Sequence, residues 1–510
     1  MRYIIALLTL GLASTSFAQN YSDALQFSRT DISGSARFVA MGGSFGALGG
    51  EISGISINPG GIGVYRNSEF TISAGFNNYN AQTTYRGSNA VDGRFSMNLP
   101  NVGYVGNYKI NTNGWKSISF GILHNRLNRF GSEQRAFGNS SNSTYIDDYV
   151  NQLNNNNATA ADAASYEVYP FGIAQAWNAA LIDTLTNPVT GNVDFIPYIF
   201  LHETEPNVTG RPLSTVENIA QTRTLDTRGN QAETQFIFGG NFMDKLYLGA
   251  SVSLQTINFE KTSSFREVYT YGPTATAANE YLIANYQEDT RLISDGTGVN
   301  LKVGGILRAT EDLRVGLSLQ TPTIMRMDEV FSIDVNSQFV DGFEIAAESV
   351  ESTFSYRLRT PVRVTASLAY IILQRAAVNV DYEYIDYSTA FFNDRKDFQN
   401  DYSFQNSEIQ DILTNAHHVR VGAEYKVNPF VIRVGYSYQG NPYDPDFSVA
   451  DESRNAYSVG GGFRNNNFNF DVGINSRQMT LNENFYSSTD AIAAIEETET
   501  NVVFTLGWRW

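Results

Sequence analysis

Residues 467–475 read Asn-Phe-Asn-Phe-Asp-Val-Gly-Ile-Asn, so Phe468, Phe470, Val472 and Ile474 alternate with Asn467, Asn469, Asp471, Gly473 and Asn475. A period of two places the four apolar side chains on one face of an extended strand. The pattern recurs upstream. Phe430, Ile432, Val434, Tyr436 and Tyr438 alternate with Val431, Arg433, Gly435 and Ser437, and Val378, Val380, Tyr382 and Tyr384 alternate with Asn379, Asp381 and Glu383. Leu246, Leu248, Ala250, Val252 and Leu254 do the same against Gly249, Ser251, Ser253 and Gln255. A water-soluble β-sandwich shows this alternation with its apolar face turned inward. Alternation alone therefore leaves open whether that face meets a core or lipid.

Connection lengths decide between the two. Strands are predicted near 67–79, 101–110, 115–127, 233–242, 245–258, 296–308, 312–321, 355–371, 376–387, 417–426, 429–438, 455–464, 467–478 and 500–510. Tight polar turns such as Asn111-Thr112-Asn113-Gly114, Met243-Asp244, Val427-Asn428 and Asn465-Asn466 alternate strictly with long connections near 80–100, 128–232, 259–295, 322–354, 388–416, 439–454 and 479–499. Outer-membrane barrels have short periplasmic turns and long outer loops, and a soluble sandwich has no reason to sort its loops this way. The expected fold is all-β: a transmembrane antiparallel β-barrel of about 14 strands over residues 67–510. Its last strand, with Val502, Phe504, Leu506, Trp508 and Trp510 on one face, ends in the kind of aromatic residue that Gram-negative barrel-insertion machinery reads. That machinery is an expected partner through Trp510. Trp115, Tyr247, Tyr370, Tyr438 and Trp508 near strand ends suit interfacial aromatic belts.

Composition agrees. The 510 residues include no cysteine, 29 Tyr, 33 Phe and 42 Gly, with 17% charged residues and a net charge of −17. Missing thiols exclude disulfide scaffolds and cysteine zinc sites. The acidic balance argues against wrapping nucleic acid. After residue 18 there is no apolar run of about 18 residues, which excludes a polytopic helical membrane protein. Residues 1–18, MRYIIALLTLGLASTSFA, combine Arg2, a short apolar core and a small-residue end, the pattern of a signal peptide cleaved after Ala18. Export to the outer membrane is the expected destination.

Residues 19–66 do not read as a spanning strand. They are rich in glycine, including Gly42, Gly43, Gly46, Gly49 and Gly50, without the Gly-Lys-Ser/Thr that a phosphate-binding loop requires. Small residues let backbones pack closely in a confined space. A compact plug inside the barrel lumen is the expected use. The connection of about 128–232 exceeds a plain loop. Its Ala158–Ala164 and Trp177–Ile182 stretches predict a partly helical extracellular insert.

Ser56-Ile57-Asn58-Pro59-Gly60-Gly61-Ile62, after Met41-Gly42-Gly43, resembles the N-terminal hatch of the FadL/TodX-type outer-membrane transporters of fatty acids and hydrocarbons. Their motif is Asn-Pro-Ala, and Gly60 here stands for the alanine. Gly304-Gly305-Ile306-Leu307 with Arg314 to Ser318, Thr360 to Val364 with Asp381 to Tyr384, and Ile432 to Tyr438 with Pro442 and Asp446 resemble later hairpins of that family, in family order. The resemblance implies a 14-stranded plugged barrel that releases hydrophobic small molecules, of the long-chain fatty acid or hydrocarbon class, sideways into outer-membrane lipids. It also points to strand three for the opening, where Gly121 is either a weak point in pairing or a small lumen residue. Ligand-binding side chains of the family do not align to positions here.

Lys302, Arg308, Arg314, Arg363, Asp381, Glu383, Arg420, Glu424 and Arg433 are expected to face the lumen. They either form a site for an anionic head group or brace barrel and plug by ion pairs. No catalytic residue, metal site or cofactor is expected: the four histidines include His417-His418, whose side chains point to opposite faces of a strand. The alternative function is a plugged barrel that does not transport but docks beside an assembly or secretion machine.

Overall fold

Alternating residues carry fourteen antiparallel strands around a closed barrel. The computed structural model describes residues 20–141, 143–186, 193–200, 216–272, 282–394, 401–446, 451–489 and 491–510. The signal-peptide segment read from sequence lies outside the described residues. The strands are β1 (Glu69–Tyr85), β2 (Ser88–Thr112), β3 (Trp115–Arg129), β4 (Val216–Phe242), β5 (Leu246–Tyr271), β6 (Ile283–Arg308) and β7 (Leu313–Gln320 continued by Ile324–Phe339). They continue as β8 (Val350–Arg359 and Arg363–Ile372), β9 (Ala376–Asp386 and Phe391–Asp394), β10 (Asn415–Val427), β11 (Phe430–Gln439), β12 (Arg454–Arg464), β13 (Phe468–Asn484) and β14 (Ile492–Arg509). Each strand pairs with the next, and β14 returns to β1 through partners such as Phe70↔Trp508.

The apolar face points outward. Leu248, Val252, Leu254, Val303, Leu317, Val380, Ile432 and Val434 are exposed on the barrel's exterior, the arrangement lipid requires. Tyr370 and Trp508 are also exposed. Tyr247 corrects the belt expectation: its parity matches that of lumen-facing Gly249, it is buried, and its hydroxyl donates to the Asp244 carbonyl at 3.2 Å.

Several long connections are strands rather than loops. Residues 80–100 continue β1 and β2 to a two-residue turn at Arg86-Gly87, with φ of 47° and 78°. Such a turn matches the strand twist. On β1 the outward residues run Phe70, Ile72, Ala74 and Phe76, then Asn78, Asn80, Gln82 and Thr84. Above the lipid band the outward face turns polar while Tyr79, Ala81, Thr83 and Tyr85 face inward, so the pairing continues without the apolar-outward alternation that would announce it. Within 355–371, predicted as one strand, β8 breaks at Thr360-Pro361-Val362, beside a matching break at Thr321-Pro322-Thr323 in β7. Proline cannot donate to a ladder. Thr323 N–H donates instead to Thr360 Oγ1 at 2.9 Å, and Thr360 N–H to the Thr323 carbonyl at 3.0 Å.

The insert after β3 contains helices Ile146–Asn155, Ala160–Ala163 and Ile173–Asn178 and the hairpin Ile182–Thr186 with Val193–Pro197. Leu153, Ile173 and Ala176 pack with Ile219, Phe265 and Tyr286 of β4, β5 and β6, so this cap sits on the outer ends of those strands.

Candidate functional site

The plug occupies residues 20–68, inside the ring of strands. Its first helix, Tyr21–Ser28, starts at a capping box between Asn20 and Asp23. Ser35 caps Ala36–Ala40, and Asn58 caps the 3-10 turn Pro59–Val64. Gly42 and Gly43 have φ of 62° and 74°, a conformation that favours glycine. Asn58 does more than cap: its amide donates to the Gly46 carbonyl at 2.7 Å and to the Gly305 carbonyl of β6 at 3.1 Å, while its oxygen accepts from Gly60 N–H at 3.0 Å. A Cβ on Gly60 would lie 2.8 Å from Gly305 Cα. The family's alanine is therefore excluded at this spacing. The wall facing the plug is itself glycine: a Cβ at Gly249 would meet the Pro59 carbonyl, one at Gly316 the Gly46 carbonyl, and one at Gly435 the Gly42 nitrogen. These glycines occupy the lumen-facing slots of the alternating strands, a visible signal that the strand reading passed over.

The charges expected in the lumen meet the plug or one another. Asp381 accepts from the backbone N–H groups of Phe45 at 3.0 Å and Gly46 at 3.1 Å. Glu383 is held by Arg363 at 3.2 Å and Arg420 at 3.0 Å. Arg363 also donates to Thr30 Oγ1 at 3.1 Å and to the Ser28 carbonyl. Arg314 donates to the Leu48 carbonyl at 2.5 Å, and Lys302 to the Ser56 carbonyl at 3.2 Å. Arg433 bridges Glu424 at 2.7 Å and Asp471 at 2.6 Å, and Glu424 also receives Arg37 of the plug at 2.9 Å. Arg308 stands apart, donating to the Glu311 carbonyl in a turn.

Above the plug lies an outer chamber of about 300 Å³. Leu25, Phe130, Leu225, Phe259, Met479 and Leu481 supply its apolar wall. Its charges balance, with Arg29, Arg129, Lys261, Arg454 and Arg477 against Asp31, Glu452, Glu483, Glu497 and Glu499. Asp31 takes Arg477 at 2.6 Å and Arg454 at 3.2 Å, and Glu499 takes Arg129 and Arg477. Such a chamber suits an uncharged or weakly polar molecule better than a lone anion. Below it, cavities of about 30 and 70 Å³ run past Asp31, Ile32 and Ser33 toward Lys302 and Glu383. The sequence reading missed Phe130, Leu225, Phe259, Met479 and Leu481 of the chamber because they lie in segments it took for loops.

The barrel wall is interrupted beside this path. β2 and β3 pair from Thr112↔Trp115 up to Asn101↔Asn125 and no further among the described residues. β3 then bulges between Arg126 and Asn128 in its register with β4. The bulge is tied inward: Asp31 N–H donates to the Leu127 carbonyl at 3.0 Å, and Asn128 donates to the Arg29 carbonyl at 2.7 Å. Across the gap, β2 is joined by side chains, with Arg94 on Asp226 at 3.0 Å and Asp92 accepting from Arg135 N–H at 2.9 Å. Gly121 lies lower on β3, regularly paired with Val105 and Ile237, and a Cβ there would stand 3.2 Å from Ile62 of the plug.

A closed barrel of fourteen strands, greasy outside and filled by its own N-terminal segment, defines a plugged outer-membrane barrel. Residues 241–508 match the model of the outer membrane protein transport protein (OMPP1/FadL/TodX) family, and the chain belongs to that family. Its place is the outer membrane. The structure is similar to that of the Pseudomonas putida toluene transporter TodX, with a TM-score of 0.51 and 12% identity over 94% of this chain and 99% of that one. It is equally similar to a Pseudomonas aeruginosa FadL homologue, with a TM-score of 0.51 and 12% identity over 95% and 99% of the two chains. No curated protein sequence matches the chain.

Proposed function

We propose that this barrel takes up hydrophobic small molecules, gathering them in the outer chamber and releasing them sideways into the membrane through the seam beside β3. Burying apolar area is worth roughly 25 cal/mol per Å². A greasy molecule therefore gains by leaving water for the wall of Phe130, Leu225, Phe259 and Leu481. The straight route to the periplasm is filled by the plug. The observation that carries the reading is the bulge at Leu127, above which β2 keeps β1 as a backbone partner but has none on its β3 side past Asn101. Outward neighbours on β2 there, Phe95, Met97 and Leu99, are exposed and apolar, so the seam gives onto lipid. The charge balance of the chamber favours hydrocarbons or weakly polar compounds over small ions.

The test is uptake of labelled toluene and of a labelled long-chain fatty acid by cells with the wild-type chain, a Leu127 deletion, or none. The deletion removes the extra residue and lets β3 pair in register with β4. Uptake by the wild type and its loss in the deletion, with normal barrel insertion, is the expected result. Undiminished uptake in a correctly inserted deletion variant would reject the lateral route.

One observation favours a second reading. The cavities beneath the chamber are only about 30 and 70 Å³, so the described lumen is nearly filled, as a docking barrel would allow. A stable co-purifying outer-membrane partner together with no uptake of either labelled compound would support it.

A further inference from the structure

The opposite end of the lumen has a different electrostatic character. A cavity of about 320 Å³ opens among the short turns, with plug residues Leu48 to Gly50 as its floor. Seven cationic side chains line it, against two carboxylates, Glu69 and Glu424. In a chain of net charge −17, that local excess runs against the whole.

Partners account for only part of it. Arg509 is on Glu69 at 3.0 Å, and Arg66 is on Asp244 at 2.7 Å. Glu424 is already taken by Arg37 at 2.9 Å and Arg433 at 2.7 Å, so Arg464 reaches it only at 3.9 Å. Arg314, Arg375 and Lys426 have no carboxylate within 4 Å among the described residues. The Nε groups of Arg314 and Arg464 are buried and without a hydrogen-bond partner. A buried charged donor left unsatisfied costs more than a made hydrogen bond returns. Lys426 and Arg375 are held side by side, since Lys426 N–H donates to the Arg375 carbonyl at 2.8 Å.

We propose that this periplasmic mouth binds a phosphate group, carried by a lipid head group or free in solution. Guanidinium forks match phosphate oxygens in pairs, and a phosphate offers enough acceptors to engage several at once. The site shares no wall with the outer chamber and stands whether or not the uptake reading holds.

The experiment uses the full mature chain. Inorganic phosphate is titrated into detergent-solubilised protein by calorimetry, and nanodiscs of phosphatidylglycerol or phosphatidylcholine are compared by native mass spectrometry. The variants are Arg375→Gln/Lys426→Gln, which lie at the exposed rim, and Arg314→Gln, each checked for the heat-modifiable gel shift of a folded barrel. Saturable phosphate binding that falls at least tenfold in the folded rim variant supports a free-anion site. Retention of phosphatidylglycerol alone, lost in the same variant, supports the head-group source. The proposal fails if neither probe binds, if binding is indifferent to both sets of substitutions, or if the mouth retains only an acidic protein.

Discussion

At single residues, close approach of backbones governs this molecule. Gly249 has room for nothing larger, because a Cβ there would lie 2.2 Å from the Pro59 carbonyl oxygen. Gly249→Val is expected to unseat the Pro59–Val64 turn without disturbing the lipid face. Gly305→Ala, whose Cβ would meet the flexible Leu248 side chain at 3.2 Å and the Tyr247 carbonyl oxygen at an ordinary 3.6 Å, serves as the control. Single-channel conductance in planar bilayers should rise for the first and stay at the wild-type level for the second. Arg433 is governed by charge instead. It lies fully buried between Glu424 and Asp471. Arg433→Met leaves the buried Asp471 without its cation, while Glu424 keeps Arg37, and stranding one partner of a buried pair costs about 3–5 kcal/mol. Urea unfolding in detergent micelles should show the loss, and an unchanged midpoint would mean that the network contributes little.

At the level of elements, legibility follows the solvent. Strands such as Phe468–Asn484 were readable where one face meets lipid and the other the lumen. Past Phe76 that contrast disappears: Asn78, Asn80, Gln82 and Thr84 are outward and polar, and β1 runs on as a strand that its sequence does not announce. The breaks at Pro322 and Pro361 were present in the sequence, but their alignment on neighbouring strands is a matter of register. The plug was legible from its glycines and from Asn58-Pro59-Gly60. The chamber was not, since Phe130, Leu225 and Phe259 come together only when extended β4 and β5 carry them there. The cap shows its own chemistry. Burial, with Asp148 adding repulsion, pushes the Asp147 carboxyl up to about 6, although Thr144 N–H donates to it at 2.9 Å. Folded Asp147 then binds its proton more tightly than in the unfolded chain, so its contribution to the cap's stability falls as pH rises from about 4 to about 6 and is level above. Limited proteolysis should cut the insert faster at pH 7 than at pH 5, and Asp147→Asn should narrow that difference, the remainder coming from Glu288, which accepts from Tyr149 of the cap at 2.6 Å and is pushed up to about 7 by burial.

For the whole molecule, the exterior is apolar, and the interior is held by contacts between two parts of one chain, both apolar, as where Ile52, Ile55 and Ile62 pack on Val105, Leu123 and Ile237, and polar. Phe45 and Gly46 donate backbone N–H groups to Asp381, Arg37 pairs with Glu424, and Ala36 N–H donates to Thr505 at 2.7 Å. Removing the plug would strand these wall groups in a lumen that water must then enter. If the plug were only a stopper, deleting residues 20–66 would open the barrel and leave its stability alone. If it is also the core, as these contacts argue, the deletion should lower the thermal midpoint in detergent as well as raise conductance. Supplying the plug segment in trans as a peptide should recover both together. Recovery of closure without recovery of the midpoint would separate the two roles and show that the strands stand by their own hydrogen bonds, with the plug contributing little to holding them.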